Sequence, residues 1–222
     1  MIPLKDKNPS RTFPFANYLI ITANIVVFFY ELSLGQQLDG FIVKYGLNTH
    51  RYFYDVAHHV HLMTRYVPFF TSMFLHGGWM HIIGNMWFLY IFGDNVEDKL
   101  GHGNYFVFYM LSGLAAAVVQ LLSSIDSSVP TIGASGAISG VLGAYLVMFP
   151  RARVVTLIPI FFFFDIIDIS AFLFIGFWFL MQFVSGLQTL GINTSGGIAW
   201  WAHIGGFVGG VLMVPIFRRK YS

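Results

Sequence analysis

The sequence predicts an all-α membrane protein, built as a bundle of six transmembrane helices in a single membrane domain over residues 1–222. Two observations predict this class. Hydrophobic residues make up 56% of the chain and charged residues only 10%, whereas a soluble globular domain has about 25% charged residues. In addition, six segments approach the roughly 20 apolar residues that a helix needs to cross a bilayer core.

The six predicted spans differ in length. The second and the fourth are short, and short, glycine-interrupted spans are typical of helices inside a bundle. The apolar stretch Val154–Phe164 is too short to cross and is interrupted by Pro159, so we expect an interfacial segment there, with a seventh span as the alternative. The long loop over residues 35–78 is rich in aromatic residues and His, and we expect it to fold against the bundle. The spans run approximately over Asn17–Leu34, Trp79–Gly93, Asn104–Ser123, Ser135–Pro150, Ser170–Leu187 and Ile198–Phe217.

Lys and Arg predict the orientation, because they concentrate in cytoplasmic loops. With both termini in the cytoplasm, that side receives nine of the twelve basic residues: Lys5, Lys7, Arg11, Lys99, Arg151, Arg153, Arg218, Arg219 and Lys220. The other three, Lys44, Arg51 and Arg65, lie in the first outer loop. Glu31 is expected in water near the outer end of the first span. A bacterial inner (plasma) membrane is the simplest location.

Composition excludes several function classes. The chain has no Cys, which excludes disulfides, thiolate metal sites and Cys nucleophiles. A net charge of +2, scattered along the chain, does not favour a nucleic-acid partner. The run His58, His59 and His61 could form a metal site, but it has no fourth ligand and no H-E-x-x-H helix, so a solvated loop face is the better interpretation.

The first segment that could carry catalytic chemistry surrounds Ser135. Gly133, Ser135 and Gly136 lie where an outer loop enters the fourth predicted span. A Ser hydroxyl there is near the positive end of the helix dipole, beside unpaired backbone N–H groups that can bind an oxyanion. Ordinary N-capping or close packing of small residues would explain the same pattern.

The second segment surrounds His203 in the sixth predicted span, where an ionisable side chain is costly and suggests function. Small residues follow it at Gly205, Gly206, Gly209 and Gly210, and the fourth span carries a matching stripe at Gly136, Gly140 and Gly143. Ser135 precedes Arg151 by 16 residues and His203 precedes Arg218 by 15. Both side chains should therefore lie roughly 22–24 Å above these basic residues. A core His held by a structural hydrogen bond is the alternative.

The third segment contains His76, His81 and Asn85. His81 and Asn85 are four residues apart, so they share one helix face, and their helix also starts on the outer side. Both side chains could donate hydrogen bonds to an oxyanion, or could serve packing between helices alone.

Together these segments resemble the rhomboid family of intramembrane serine proteases. Gly133-Ala-Ser135-Gly is similar to the nucleophile motif of that family, Ala202-His203-Ile-Gly-Gly to its base motif, and His76-x4-His81-x3-Asn85 to its second-helix pattern. The resemblance implies a rhomboid-like six-helix bundle, with Ser135 as nucleophile, His203 as general base, and His81 and Asn85 in the oxyanion hole. His76 would be structural. The family's usual Trp-Arg pair in the first loop is absent, and Ser72 stands where many members have a His.

The function expected is therefore an endopeptidase that cleaves transmembrane segments of protein substrates near the outer face. Lipid and transmembrane proteins are its expected partners, and no metal or organic cofactor is implied. A rhomboid-like protein that binds membrane clients without cutting them is the main alternative. An aspartyl protease is disfavoured because Asp55 and Asp94 are expected on opposite sides of the membrane, and a transporter is disfavoured because no inverted repeat is present.

Overall fold

The computed structural model describes residues 1–124, 127–160, 163–189 and 198–218. Long helices account for most of the chain: α1 (Phe15–Ser33), α5 (Trp79–Leu100), α6 (His102–Ser123), α7 (Ser135–Met148), α8 (Ala171–Thr189) and α9 (Trp200–Phe217). By length and composition, α1, α6, α8 and α9 are each sufficient to cross a membrane. The protein is thus mostly helical and carries several membrane-type helices.

The helix α7 lies at the centre of the bundle. It has only 14 residues, yet the ten consecutive residues Gly136 to Tyr145 are all buried. It packs mainly against α9, α6 and α5. Because a helix surrounded by other helices needs no lipid-matching length, the prediction that the short fourth span lies inside the bundle is confirmed.

The helix α5 is longer than the predicted second span, which ended at Gly93. Its last turns carry charged residues, but the Glu97 carboxylate is fully buried and accepts hydrogen bonds from the backbone N–H groups of Ala16 (2.9 Å) and Asn17 (2.7 Å). These two donors belong to the first turn of α1, where N–H groups have no intrahelical partner. The helix continues to Leu100 and is followed by Gly101 with a φ of 81°, which residues with a side chain rarely adopt.

The loop over residues 35–78 forms three short helices: α2 (Leu38–Tyr45), α3 (Thr49–Ala57) and α4 (Leu62–Thr71). Two 3₁₀ turns, Gly35–Gln37 and Ser72–Phe74, flank them. Leu47 and Phe69 of this loop pack on Ala117 and Leu121 of α6. The prediction that the loop folds against the bundle is therefore confirmed.

A three-stranded antiparallel sheet corrects the all-α prediction. Strand β1 (Ile2–Asp6) pairs with β2 (Arg153–Ile160), and β2 pairs with β3 (Phe163–Ser170). The apolar stretch predicted as an interfacial segment thus falls on the paired strands β2 and β3, and its β-branched residues favour strands. Residues 161 and 162 of that stretch lie outside the described residues. Its partner strand lies about 150 residues earlier in the chain, with Pro3 opposite Thr156. The Nε1–H of Trp87 donates to the Pro3 carbonyl (2.6 Å) and ties the sheet to α5.

Glu31 also departs from expectation. It was predicted to lie in water at the end of the first span, but it is 1% exposed. Its carboxylate accepts the backbone N–H of His76, at 3.1 and 3.3 Å from its two oxygens. Glu31 therefore joins the end of α1 to the segment that enters α5.

Of the basic residues used to predict the orientation, Arg219 and Lys220 lie outside the described residues.

Candidate active site

The site forms where α7 begins. Ser135 is the first residue of α7, so the N–H groups of its first turn have no intrahelical partner. The segment that leads into the helix is held from two sides. Thr131 forms a two-way backbone bridge with Leu47 (2.8 and 3.0 Å), and the Gly133 N–H donates to the Ser72 carbonyl (2.8 Å). The loop over residues 35–78 thus fixes the approach to Ser135, and Ser72 serves through its backbone.

His203 lies beside Ser135 on the neighbouring helix α9. Its Nε2 is 2.8 Å from the Ser135 Oγ, which is hydrogen-bond distance. The imidazole is 8% exposed and lies near the rings of Trp178 and Trp200, with ring centroids 6.0 and 6.3 Å away. The two side chains, 68 residues apart in sequence, have the nucleophile–base geometry that serine catalysis requires.

Glycines allow α7 and α9 to approach this closely. A Cβ added at Gly206 would lie less than 3.0 Å from the Gly136 carbonyl oxygen, and one at Gly210 less than 3.0 Å from the Gly140 carbonyl. The small residues of α9 do not form one stripe, as predicted, but two. Gly205 faces Val119 of α6, and Gly209 likewise faces α6.

Asn85 and His81 form the opposite wall, on α5. Gly133 has a φ of +122°, and a Cβ there would lie 2.6 Å from the His81 Nε2 and 3.7 Å from the Asn85 Nδ2. The glycine therefore lets the segment before Ser135 pass directly over both side chains. Asn85 is 8% exposed, and its Nδ2 is buried without a hydrogen-bond partner among the described residues. A buried amide donor left unpaired is costly, and this one, close to Gly133, is available to a bound group.

His76 lies behind this wall, in the segment just before α5. It is 3% exposed, and its ring centroid is 5.1 Å from that of His81. Burial, together with the nearby His81, lowers the pKa of His76 to about 4, so the ring is neutral at physiological pH. Its Nδ1–H donates to the Phe74 carbonyl (3.3 Å). Its contacts are with the protein interior and not with Ser135.

Two glutamines at the site were not singled out from the sequence. The Gln182 Oε1 on α8 lies 2.7 Å from the His203 Nδ1. The Gln120 Oε1 on α6 accepts the backbone N–H of Ala202 (3.1 Å), next to His203. Both are 9% exposed or less. Their position in the sequence could have identified them, because each is an isolated amide within a predicted span, where polar residues usually have a partner.

The structure thus brings Ser135, His203, His81 and Asn85 together, with Gly133, Gly136 and Gly206 at the points of closest approach. The run His58, His59 and His61 lies elsewhere, between α3 and α4. The His58 ring stacks on Tyr54, with centroids 3.9 Å apart.

Comparison with known proteins identifies the family. The model of the family described as "Rhomboid domain" matches residues 63–220. The chain belongs to the rhomboid family. The match includes α5 to α9 and therefore every residue of the candidate site.

Individual relatives cover parts of this rhomboid chain. "Rhomboid protein 1, mitochondrial" from Saccharomyces cerevisiae is 31% identical over 160 residues, which are 68% of this chain and 41% of that protein. "Rhomboid-like protein 11, chloroplastic" from Arabidopsis thaliana is 36% identical over 80 residues, 36% of this chain and 28% of that protein. "Presenilin-associated rhomboid-like protein A, mitochondrial" from Danio rerio is 29% identical over 100 residues, 44% of this chain and 26% of that protein. The matched regions span less than half the length of these relatives.

Proposed function

We propose that this protein is an intramembrane serine endopeptidase that cleaves transmembrane segments of other membrane proteins. The observation that carries the proposal is the 2.8 Å separation of the Ser135 Oγ and the His203 Nε2, at the start of a buried helix in a rhomboid chain. A client-binding relative without protease activity would have no need of a paired Ser and His. The unpaired amide of Asn85 also fits a site built for a developing charge.

The reaction follows from this geometry. His203 accepts the Ser135 proton at Nε2 while the Ser135 Oγ forms a bond to the scissile carbonyl carbon. The resulting oxyanion is bound by Asn85, His81 and the first-turn N–H groups of α7. The intermediate collapses as His203 gives its proton to the leaving amine. Water, activated by His203, then hydrolyses the acyl-Ser135 ester and releases the new carboxyl terminus.

The proposed topology is six spans within a single membrane domain, residues 1–222, with both termini on the cytoplasmic side. Strand β1 is paired with β2, so the two lie on the same side of any membrane that the helices cross. Between them stand α1, α5, α6 and α7, an even number of crossings, as this pairing requires. The helices α8 and α9 would complete the six. The site then lies at the outer end of α7, so cleavage near the outer face of a substrate is expected.

The membrane that houses the protein is a separate proposal. A bacterial inner membrane agrees with the distribution of Lys and Arg. The mitochondrial and chloroplastic relatives make an organelle membrane the alternative. Microscopy of a C-terminal fluorescent fusion in the source cell distinguishes the two.

A cleavage assay with purified protein in liposomes tests the proposed activity. We expect the wild type to cut a model transmembrane substrate and to be labelled at Ser135 by a serine-directed phosphonate, with the adduct mapped by mass spectrometry. Ser135→Ala and His203→Ala should each abolish cutting, and the double variant should be no worse, because the two residues act as one unit. The exposed Ser33 provides the matched control, Ser33→Ala, which should cut normally.

Three results would contradict the proposal. Cleavage by folded Ser135→Ala at an appreciable rate would show that Ser135 is not the nucleophile. A well-folded wild type that neither cuts nor reacts with the phosphonate would favour a client-binding protein. Loss of activity with EDTA and recovery with zinc would favour a metalloprotease.

A further inference from the structure

The helix α8 carries a buried amide at Gln182. The other buried residues of α8 are Ala171, Phe174, Ile175 and Gly186, so Gln182 is the polar member of that buried face. Burying an amide without a hydrogen bond is unfavourable in an apolar interior. The partner that Gln182 meets is the His203 Nδ1, 2.7 Å from its Oε1. The polar side chain of this face therefore contacts the proposed general base.

The contact determines which imidazole nitrogen carries the proton. A neutral imidazole has one N–H donor and one lone-pair acceptor. The Nε2 lies 2.8 Å from the Ser135 Oγ, and it can accept the Ser135 proton only when its lone pair is free. The single ring proton must then be on Nδ1, buried within the bundle, where it needs an acceptor. The Gln182 Oε1 is correctly placed to be that acceptor.

We propose that Gln182 is a positioning residue, whose side-chain oxygen accepts the Nδ1–H of His203 and holds the imidazole in the tautomer and orientation that deprotonate Ser135. This inference rests on the proposed protease function. When Nε2 takes the Ser135 proton, the imidazolium still donates Nδ1–H to the same oxygen. The amide therefore supports His203 before and after proton transfer and itself exchanges no proton.

Two substitutions at Gln182 separate positioning from packing. Gln182→Met keeps a similar length and volume but removes the acceptor. We expect its kcat to fall roughly 10- to 100-fold, by analogy with the loss of a partner that orients a metal-ligating His, with little change in KM. Gln182→Glu retains an acceptor oxygen. It should keep most of the activity, and the acidic limb of its pH–rate profile should move to higher pH, because a carboxylate stabilises the imidazolium.

Gln188 provides the matched control, since it lies on the same helix but is exposed. Gln188→Met and Gln188→Glu should leave kcat and the pH profile at wild-type values. They report any general effect of changing side-chain polarity or charge on α8. Melting temperature and phosphonate labelling are measured for all variants. A wild type that cuts, together with an inactive Ser135→Ala, establishes the protease function independently of the Gln182 results.

Given that activity, three outcomes overturn the inference. A folded Gln182→Met with a kcat within about threefold of wild type shows that His203 needs no acceptor from Gln182. A Gln182→Met that loses activity only in proportion to its folded fraction, without recovery in Gln182→Glu, assigns the contact to packing of α8 on α9. An inactive Gln182→Glu with normal melting shows that the amide donates to Nδ1, since a carboxylate cannot. Failure of the wild type to cut overturns the proposed function itself.

Discussion

Removing the Asn85 side chain should slow the proposed reaction without weakening the fold. The Asn85 Nδ2 has no hydrogen-bond partner among the described residues, so Asn85→Ala breaks no hydrogen bond of that amide nitrogen. It also removes a buried unpaired donor, whose penalty is about 1–3 kcal/mol. This gain offsets the packing that is lost with the side chain. We therefore expect the melting temperature to stay near that of the wild type.

The effect on the reaction should be large. If the Asn85 amide binds the oxyanion, its hydrogen bond forms fully only at the tetrahedral transition state. Losing one such donor typically lowers kcat by roughly 10²–10³, or about 2.7–4 kcal/mol. KM should change little, because the ground-state carbonyl gains less from the same donor. The measurement is kcat per active site in liposomes, with active sites titrated by a covalent serine inhibitor.

Asn95 provides the control on the same helix. It is also buried, but it is already hydrogen-bonded, to Asn8 and Asp94. Asn95→Ala should therefore lower the melting temperature and leave kcat of the folded fraction nearly unchanged. If Asn85→Ala behaves in the same way as Asn95→Ala, with kcat within about threefold of wild type, the oxyanion role is refuted and Asn85 is a packing residue.

Two further predictions concern packing and pH. Gly206→Val should abolish cleavage and destabilise the fold by about 1–3 kcal/mol or more, because its side chain would collide with the Gly136 carbonyl. The control is Gly176→Val, which has open space around the new side chain and should show wild-type melting and cleavage. Burial raises the pKa of Asp6 from 3.8 to about 6 even though the Tyr145 hydroxyl donates to it (2.6 Å), so folded protein binds this proton more tightly than unfolded chain. That contribution to stability is complete below about pH 4 and is lost as pH rises through about 6. Thermal melts from pH 4 to 7 should show a smaller decline in Asp6→Asn, and an unchanged decline would contradict the assignment.

The sequence predicted the parts of the site that depend on local pattern. The positions of Ser135 and His203 relative to Arg151 and Arg218 placed both side chains at one depth. Their Nε2–Oγ separation of 2.8 Å agrees with that estimate. Glycine spacing predicted close packing of α7 on α9, but not that Gly205 would face α6, because a run of adjacent glycines gives no preferred face.

The features that the sequence did not predict depend on distant partners. One of the two partners of β2 is β1, about 150 residues away, and an apolar run with Pro159 gives no sign of that partner. Burial of Glu31 depends on the His76 N–H, which only the folded loop brings near. The role of Gln182 depends on α8 packing beside His203, and a single amide in an apolar segment does not indicate which helix its own helix packs against.

The pairing of β1 with β2 has a consequence for the order of events during synthesis. Residues 2–6 are synthesised before β2, and α1, α5, α6 and α7 are made between the two strands. Since domains fold in step with synthesis and long-range strand pairing is slow, the strand must wait unpaired while four helices are made. Closing the sheet then joins residues 2–6 to the α7–α8 connection. A protease probe or an antibody against residues 2–6 should therefore detect nascent chains that do not yet contain β2 and lose access once β2 has left the ribosome and paired.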